Sequence, residues 1–394
     1  MKSFSKINTF LSFDMKHYDV VVVGSGPAGG MAAYEASKAG LSVAILEKES
    51  LPRYKTCGGG LVFRGRDMLP FDISNVIEKE YNDLYIYFDH LDQPLFAHRT
   101  YPVVTMVMRD KFDQLIIENA KSFGATLLEN HTLKGLEFGD KLTLKTSQGD
   151  ISATYVIAAD GVLGPTAKFA GWTETRQLIP ALEYEVEVPQ DVYERLAKEA
   201  RFDIDVIPKG YGWCFPKKNH LSIGVGTFKK RKINLREHYY AYLKILGIDD
   251  VLSEQAHGFQ VPISPRKDGF VKNNVFLTGD SAGFADPLTA EGITNSLYSG
   301  GLAAQAISQH FNDPAQAEAK YLEDLNLRLL PELKFAGYLA HLFYNQKTIR
   351  NYLMKSNGQR YCDKITDVYT GHLELNKDIK DRIIKNLGLS FLLK

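Results

Sequence analysis

Residues 18–47 read YDVVVVGSGPAGGMAAYEASKAGLSVAILE, and this stretch decides the fold. It begins with a run from Tyr18 to Val23 that is apolar apart from Asp19, as expected of a parallel strand that is buried on both faces. A glycine-rich turn follows, then a helical pattern over Met31 to Ala39 that Gly40 ends, and then a second apolar run, Leu41 to Leu46. Strand, turn, helix and strand within about 30 residues predict a unit that binds a dinucleotide.

Three glycines in this turn have separate predicted roles. Gly24 makes the tight turn out of the strand, Gly26 lets the backbone approach a pyrophosphate, and Gly29 lets helix and strand pack closely. The helix N-terminus then offers free N–H groups and a partial positive charge to the phosphates. A carboxylate at Glu47 can accept hydrogen bonds from ribose hydroxyls, although a solvated charge at a strand end would look the same. Its spacing matches the expected separation of about 20 residues, which favours the ribose role.

The composition excludes several classes of protein. Lys plus Arg and Asp plus Glu both number 47 among 394 residues, so no net charge is available to hold a nucleic acid. No apolar run approaches the roughly 20 residues that cross a bilayer. Cys57, Cys214 and Cys362 form no CxxC pair, which fits a reducing cytoplasm and provides neither a disulfide nor a metal site. Residues 1–14, before Met15, are predicted to be a disordered extension or the product of an upstream start.

Two later segments place polar residues after buried strands. Asp160-Gly161 follows an apolar run that ends at Ala159. Gly279-Asp280 follows another, and Pro287, Gly292 and Ile293 come soon after it. A carboxylate in such a place can accept from the ribityl hydroxyls of a flavin, and glycines at a helix N-terminus free N–H groups for the flavin N1–C2=O edge. Each segment alone is a common strand-to-loop transition, but their order and distances favour a flavin site.

These motifs carry a family resemblance. GSGPAG at 24–29, Asp160-Gly161 and Gly279-Asp280 resemble the p-hydroxybenzoate hydroxylase class of flavoproteins. Within that class, YKTCGGGL at 54–61 and GYGWCFPK at 210–217 resemble the geranylgeranyl reductase family. DVYTG at 367–371 is a weaker match. The resemblance covers nearly the whole chain from Met15 and implies FAD as the cofactor.

The resemblance also implies the site residues. It places Arg109 beside the FAD pyrophosphate. An arginine at a helix start is unfavourable for the helix dipole unless it pairs with an anion, so this role agrees with its position. An arginine on the protein surface is the alternative. It places Cys57 and its glycines near the flavin, where they either fill a tight turn or let the backbone approach the ring. The residues expected at the cofactor are Gly24, Gly26, Ala28, Gly29, Glu47, Lys48, Cys57, Gly58, Gly59, Arg109, Asp160, Gly161, Gly279, Asp280, Pro287, Gly292 and Ile293. The expected substrate wall is Tyr211, Trp213 and Phe215, which alternate along one strand and would equally suit a core.

The predicted fold is α/β, with a Rossmann-type FAD-binding domain, an inserted β-sheet substrate domain and a C-terminal helical region. The FAD-binding domain is expected to be discontinuous, comprising residues 15–70, 101–178 and 270–310. The substrate domain is expected over residues 71–100 and 179–269, and the helical region over 311–394.

The resemblance implies an enzyme that saturates C=C bonds of a polyprenyl group, with hydride from reduced FAD and a proton from the protein or water. Cys57 and Tyr211 are the candidate proton donors, although the adjacent glycines favour a packing role for Cys57 in its turn. The substrate is then a prenylated lipid or another isoprenoid. The absence of a second GxGxxG makes the electron donor either transiently bound NAD(P)H or a small redox protein.

Two other functions fit the same scaffold. A flavin monooxygenase or halogenase is one, although the WxWxIP segment of such halogenases corresponds here to residues 211–216, YGWCFP, which lack the first tryptophan. A lipid carrier that keeps FAD as a structural element is the other.

Apolar residues near the C-terminus suggest contact with lipid. Phe335, Leu339, Leu342 and Phe343 form one helical stripe that would touch a membrane, cover the mouth of a substrate tunnel, or pack on the flavin domain. The tail, residues 387–394, adds apolar surface. The predicted location is the cytoplasm, with peripheral contact on the inner face of the membrane.

Overall fold

The computed structural model describes residues 15–229 and 233–373. The predicted extension at 1–14 and the apolar tail at 387–394 lie outside these ranges. The strands are β1 (His17–Val23), β2 (Val43–Leu46), β3 (Gly60–Val62), β4 (Ile77–Tyr81), β5 (Asp83–Phe88), β6 (Leu95–His98), β7 (Val104–Val107), β8 (Thr126–Leu128), β9 (Leu133–Glu137), β10 (Leu142–Thr146), β11 (Ile151–Ala158), β12 (Leu178–Glu187), β13 (Ala200–Ile204), β14 (Gly210–Pro216), β15 (Leu221–Thr227), β16 (Ser253–Pro262), β17 (Val271–Lys272) and β18 (Val275–Leu277).

Helices connect the strands and make up the C-terminal part of the described chain. They are α1 (Pro27–Lys38), α2 (Phe63–Asp67), α3 (Arg109–Ser122), α4 (Thr166–Phe169), α5 (Gln190–Leu196), α6 (Leu235–Ile245), α7 (Gly279–Ala282), α8 (Ile293–Gln309), α9 (Pro314–Leu327), α10 (Leu329–Asn345) and α11 (Lys347–Tyr369), with one 3₁₀ turn at Ser74–Val76. No helix of the described ranges is both long enough and apolar enough to cross a membrane.

The first sheet has a parallel centre in the order β18-β11-β1-β2-β8, extended by antiparallel β17, β10 and β9. In the centre of the sheet, Val20 pairs with Tyr155 on one side and Val43 on the other. These strands are buried on both faces, which explains their apolar runs. Helix α1 packs against α3 and α8. The carboxyl ends of β1, β11 and β18 therefore meet at one edge, where the three glycine-containing motifs follow.

Helix α1 starts at Pro27, four residues before the predicted start at Met31. A proline suits the first helical position because its fixed φ matches the helix and its missing N–H would be unpaired there. A glycine at position 30 lets α1 pack closely on α3. A Cβ at Gly30 would lie 2.6 Å from Ile116 on α3.

The second sheet has seven strands in the order β16-β12-β15-β14-β13-β5-β6, and all its pairs except β13 with β5 are antiparallel. A smaller antiparallel sheet, β3-β7-β4, accompanies it. The sequence from Asp83 to Phe96 predicts a hairpin, and the pairing of β5 with β6 confirms it. The fold is the expected mixed α/β architecture with C-terminal helices, and the exact domain boundaries stay a prediction.

Two further sequence patterns are confirmed by the structure. The pattern over 133–157, with turns at 139–140 and 148–150, predicts a β-meander, and β9, β10 and β11 are each antiparallel to the next. Asp313, Pro314 and Gln316 predict a helix start, and the Asp313 side chain accepts a hydrogen bond from Gln316 N while Pro314 occupies the first turn of α9.

Candidate active site

A single cavity of about 1050 Å³ joins the edge of the parallel sheet to one face of the seven-stranded sheet. Most of the predicted site residues line it: Gly24, Gly26, Ala28, Glu47, Lys48, Cys57, Gly58, Gly59, Arg109, Asp160, Gly161, Tyr211, Trp213, Phe215, Asp280, Gly292 and Ile293. Gly29, Gly279 and Pro287 are buried beside the lining rather than in it. The tertiary structure thus gathers residues from all the predicted motifs around one space.

Two glycines of the first motif are required by packing within the protein. Gly24 has φ +100°, and a Cβ there would lie 2.5 Å from the Ala159 carbonyl oxygen. A Cβ at Gly29 would lie 1.9 Å from the Gly24 carbonyl oxygen. Both positions therefore exclude a side chain because backbone lies too close.

Gly26 differs from these two glycines. It has extended backbone angles, φ −74° and ψ −175°. A Cβ there would meet only Arg109 Nη2, at the ordinary contact distance of 3.7 Å. The protein itself does not require a glycine at position 26, and the open space above it faces the cavity at the start of α1. This space fits the approach of a pyrophosphate to a helix N-terminus.

Glu47 is buried, and hydrogen bonds and an ion pair within the protein fix its carboxylate. Its Oε2 accepts from the Ser25 hydroxyl at 2.5 Å and lies 3.3 Å from Arg53 Nε, while Oε1 accepts from Glu49 N at 3.1 Å. Burial opposes ionisation, but the Ser25 hydroxyl, the Arg53 charge and the backbone donors outweigh it and lower the pKa of Glu47. Glu47 is therefore an anchored carboxylate at the cavity wall, where it can still accept from a ribose.

Arg109 and Arg53 share one buried acid. Arg109 makes a two-pronged contact with Asp113, through Nε at 2.8 Å and Nη2 at 2.9 Å, and Arg53 Nη1 reaches Asp113 at 3.0 Å. Asp113, one turn along α3, is the carboxylate within the chain that forms an ion pair with Arg109. Neither Asp113 nor Arg53 was among the residues expected from the sequence; the i,i+4 spacing of Arg109 and Asp113 was the available signal.

Asp160 and Asp280 each have a carboxylate oxygen that receives no hydrogen bond from the described residues. Asp160 Oδ2 accepts from Thr166 N and Oγ1, whereas Oδ1 has no hydrogen bond from a described residue. Burial raises the pKa of Asp280, against the opposing charges of Lys55, Arg109 and Arg176. Within the described ranges no group donates a hydrogen bond to the Asp280 carboxylate. Acceptors buried without donors are costly, so this pair fits a ligand that brings hydroxyl groups.

The CGGG segment packs on the aromatic wall. A Cβ at Gly58 would lie 3.0 Å from both Trp213 Nε1 and Phe215 Cδ2, and one at Gly59, where φ is +65°, would lie 2.0 Å from the Val107 carbonyl oxygen. The close neighbours of these glycines are therefore protein atoms. Trp213 Nε1 is buried and has no acceptor among the described residues.

The apolar half of the cavity lies between this wall and the C-terminal helices. Tyr211, Trp213 and Phe215 point to the same face, as predicted, and the Phe202 ring makes edge contacts with Tyr211 and Phe215. The predicted stripe of α10, Phe335, Leu339, Leu342 and Phe343, lines the opposite side of the cavity. Leu339 and Phe343 pack with the aromatic wall, so this stripe covers the cavity.

Three tyrosines hold the loop between α7 and α8, and two of them, Tyr344 and Tyr369, were not among the residues expected at the site. Tyr211 donates to the Thr289 carbonyl at 2.5 Å, Tyr344 to the Leu288 carbonyl at 2.8 Å, and Tyr369 to the Asp286 carboxylate at 3.1 Å. Burial raises the pKa of the Tyr211 hydroxyl. Tyr211 is thus anchored to the loop that leads to Gly292, in addition to lining the cavity.

Comparison with known proteins agrees with this geometry. A family model described as FAD binding domain matches residues 17–318. An uncharacterized protein of Methanosarcina barkeri is 30% identical over 84% of both chains. The chloroplastic geranylgeranyl diphosphate reductase of Arabidopsis thaliana is 29% identical, over 88% of this chain and 79% of its own.

A solved structure with the same fold is a geranylgeranyl bacteriochlorophyll reductase-like protein from Thermoplasma acidophilum. It has a TM-score of 0.74 and 22% identity, over 95% of this chain and all of that one. The chain belongs to the FAD binding domain family and is an FAD-dependent oxidoreductase of the geranylgeranyl reductase type.

Proposed function

We propose that this protein saturates C=C bonds of a polyprenyl group. The observation that carries the proposal is the cavity itself. It is continuous from the glycines of the first motif to an apolar chamber whose walls are the aromatic face of the seven-stranded sheet and the stripe of α10. Such a chamber suits a long hydrocarbon chain, because ligand sites are mostly apolar with a few convergent polar groups.

The polar end of the cavity would hold FAD. Gly26 leaves room for the pyrophosphate, Glu47 can accept from the ribose, and Asp160 and Asp280 offer acceptors for further hydroxyl groups. Arg109 adds a buried positive charge near the start of α1. When bound and reduced, FAD supplies hydride.

The apolar end would meet the particular demands of an isolated alkene. Such a bond has no carbonyl to accept charge, so a proton must arrive before or together with the hydride. A wall of Trp213, Phe215 and Phe335 keeps water away from a centre with carbocation character. Cys57 and Tyr211 line the cavity and stay candidate proton donors, although the Tyr211 hydroxyl already donates to Thr289.

The relatives support the class of substrate. The Arabidopsis protein is named a geranylgeranyl diphosphate reductase, and a relative of Methanosphaerula palustris a digeranylgeranylglycerophospholipid reductase. Both names contain a geranylgeranyl group, and we propose a substrate that carries such a group here. NAD(P)H or a small redox protein is the proposed electron donor, and contact with the inner face of the membrane is the proposed route to a lipid substrate.

Anaerobic incubation of the reduced protein with a geranylgeranyl lipid tests the function. A reductase raises the product mass by about two for each bond, since one hydride and one proton are added. Unchanged lipid would overturn the proposal, and lipid that nevertheless co-purifies with the protein would indicate a carrier. A product that gains oxygen or halogen when air and halide are admitted would indicate a monooxygenase or halogenase.

A pair of glycine variants tests the position of the chamber. A Cβ at Gly226 meets its nearest atoms, in Ala181 and Trp213, at 3.9 Å, so Gly226→Val should fold and bind FAD while narrowing the chamber. Gly337 on α10 has open space around it and lies outside the cavity lining, so Gly337→Val is the matched control. Loss of lipid reduction only in Gly226→Val supports the chamber; equal reduction by both variants contradicts it.

A further inference from the structure

A buried polar cluster lies between the seven-stranded sheet and the segment at 53–60. Tyr54 stacks on His257 of β16 with ring centres 4.0 Å apart, and Lys55 Nζ lies 3.5 Å from the centre of the Phe259 ring. Gly58 contacts the wall at Trp213 and Phe215. The segment therefore crosses four strands. The polar side chains on the sheet face beneath it include His257, Glu183, Glu185, Lys217 and Ser222.

The strand register places Glu183 beside the aromatic wall. Glu183 on β12 pairs with Gly224 on β15, and Gly224 pairs with Trp213 on β14. A Cβ at Gly224 would lie 2.1 Å from Trp213 Cζ2, so the indole covers the glycine that separates Trp213 from Glu183. Glu183 itself lines the cavity. A carboxyl group thus borders the indole that forms the wall of the apolar chamber.

Burial favours the protonated form of Glu183. The residue is 2% exposed, it accepts one hydrogen bond, from Ser222 Oγ at 2.9 Å, and it forms no ion pair with a described residue. Burial raises the pKa of Glu183, and the neighbouring Glu185 carboxyl raises it further, whereas the Lys217 charge opposes both. Lys217 Nζ instead donates hydrogen bonds to two carbonyl oxygens, that of Gly58 at 2.6 Å and that of Val107 at 3.3 Å.

Glu185 offers a route to the surface. It lies two residues along β12 on the same face as Glu183, and its Oε2 is 3.0 Å from His220 Nε2. Both side chains are partly exposed, at 13% and 16%. The other titratable groups that face the pair are Tyr54 and His257 from the covering segment and β16, and Cys57 beside Lys217.

We propose that Glu183 donates the proton that alkene saturation consumes, and that Glu185 and His220 return a proton to it from solvent. This inference rests on the proposed reductase function. In each cycle the Glu183 O–H bond breaks, its proton forms a C–H bond at one alkene carbon, and the hydride of reduced FAD forms the other. The C=C π bond is lost, FAD is left oxidised, and the Glu183 carboxylate takes one proton from the Glu185 side.

An infrared measurement tests the acid without any turnover. The protein with FAD bound should show, at neutral pH, the carbonyl stretching band of a protonated carboxyl that disappears in Glu183→Gln. Glu187→Gln is the matched control, because Glu187 lies at the exposed end of the same strand. Glu183→Asp should keep a shifted band. A difference spectrum without such a band would overturn the proposal.

Single-turnover kinetics tests the donation. Reoxidation of the reduced flavin by a geranylgeranyl lipid should be at least about 100-fold slower in Glu183→Gln, since general acids contribute roughly 10²–10⁴. The variant should retain FAD, and Glu187→Gln should react at the wild-type rate. Equal rates in Glu183→Gln and wild type would overturn the assignment of Glu183 as the proton donor and leave the reductase function standing. A wild-type protein that reduces no lipid would overturn the reductase function itself.

Discussion

Lys217 Nζ donates a 2.6 Å hydrogen bond to the carbonyl oxygen of Gly58, across the gap between β14 and the CGGG segment. Lys217 is fully buried, and its second acceptor is the Val107 carbonyl on β7. One lysine therefore ties the aromatic wall to the segment that borders the cavity. Burial lowers the pKa of Lys217, and the Glu185 and Glu183 carboxyls oppose this shift.

The first prediction concerns this lysine. Lys217→Met should lower the free energy of unfolding by about 1.5–3 kcal/mol, because two buried carbonyl groups lose a charged donor. Lipid reduction should fall as well, since the CGGG segment is no longer held against the wall. Denaturant titration and the single-turnover assay measure the two effects. Lys218→Met, at an exposed neighbour, is the control, and equal stability of both variants would contradict the structural role.

The second prediction distinguishes the role of Gly26, at the cofactor, from that of Gly24, in backbone packing. Gly26→Ala should lower the unfolding free energy of the flavin-free protein by at most about 1 kcal/mol, the cost of a poorer cap. Its FAD dissociation constant should rise about tenfold or more, a change of roughly 1.4 kcal/mol. Gly24→Ala should instead lose about 1–3 kcal/mol of stability, because its left-handed backbone and the Ala159 carbonyl exclude a side chain. Wild-type FAD affinity in Gly26→Ala would contradict the placement of the pyrophosphate.

The third prediction concerns Asp280. Asp280→Ala should weaken FAD binding by about 1.5–3 kcal/mol, the range for a hydrogen bond to a charged group. The flavin-free protein should not be destabilised, because the removed carboxyl is half-buried and receives no hydrogen bond from the described residues. Equilibrium titration with FAD measures the first effect and denaturant titration the second. An unchanged dissociation constant would remove Asp280 from the cofactor site; Asp268→Ala, outside the cavity lining, controls for loss of a nearby charge.

The fourth prediction separates two roles of Cys57. Its Sγ accepts from Gly59 N at 3.4 Å, as expected of a residue that shapes the turn. If Glu183 is the proton donor, Cys57→Ser should retain FAD and react within about threefold of the wild-type rate, because serine is nearly isosteric and keeps a turn hydrogen bond. Single-turnover reoxidation of the flavin decides it. A loss of turnover with FAD and lipid binding intact would instead assign the proton to the thiol.

The fifth prediction is a pH dependence of stability. The folded protein holds a proton on Glu183 that the unfolded chain releases above the ordinary value of 4.5. The folded state then binds more protons than the unfolded one, so this carboxyl makes stability fall as pH rises from 4.5 toward its raised pKa. The slope is at most about 1.4 kcal/mol per pH unit for one proton. Denaturant titrations from acid to neutral pH should show a smaller decline in Glu183→Gln than in wild type or Glu187→Gln, and parallel curves would contradict a protonated Glu183.

Local patterns predicted the elements with strong signals. The apolar run of β1 and the glycines after it determine a parallel strand and a phosphate-binding turn, because both depend on neighbours in the chain. The cap of α9 by Asp313 was predictable for the same reason. The alternation of Tyr211, Trp213 and Phe215 determined that they share a face, since side chains alternate along any strand.

Long-range pairing decided the rest. The sequence does not show that Glu183 stands beside Trp213, because that relation depends on the register of β12, β15 and β14. Glu183 and Trp213 each pair with Gly224, which lies 41 positions from one and 11 from the other. Nor does it show that Lys217 reaches Gly58, that Arg53 shares Asp113 with Arg109, or that the stripe of α10 closes the chamber. The sequence by itself determined the cofactor-binding turn and the family. Only the tertiary structure decided which buried charges meet at the cavity, because burial and pairing of charges arise when distant segments pack together.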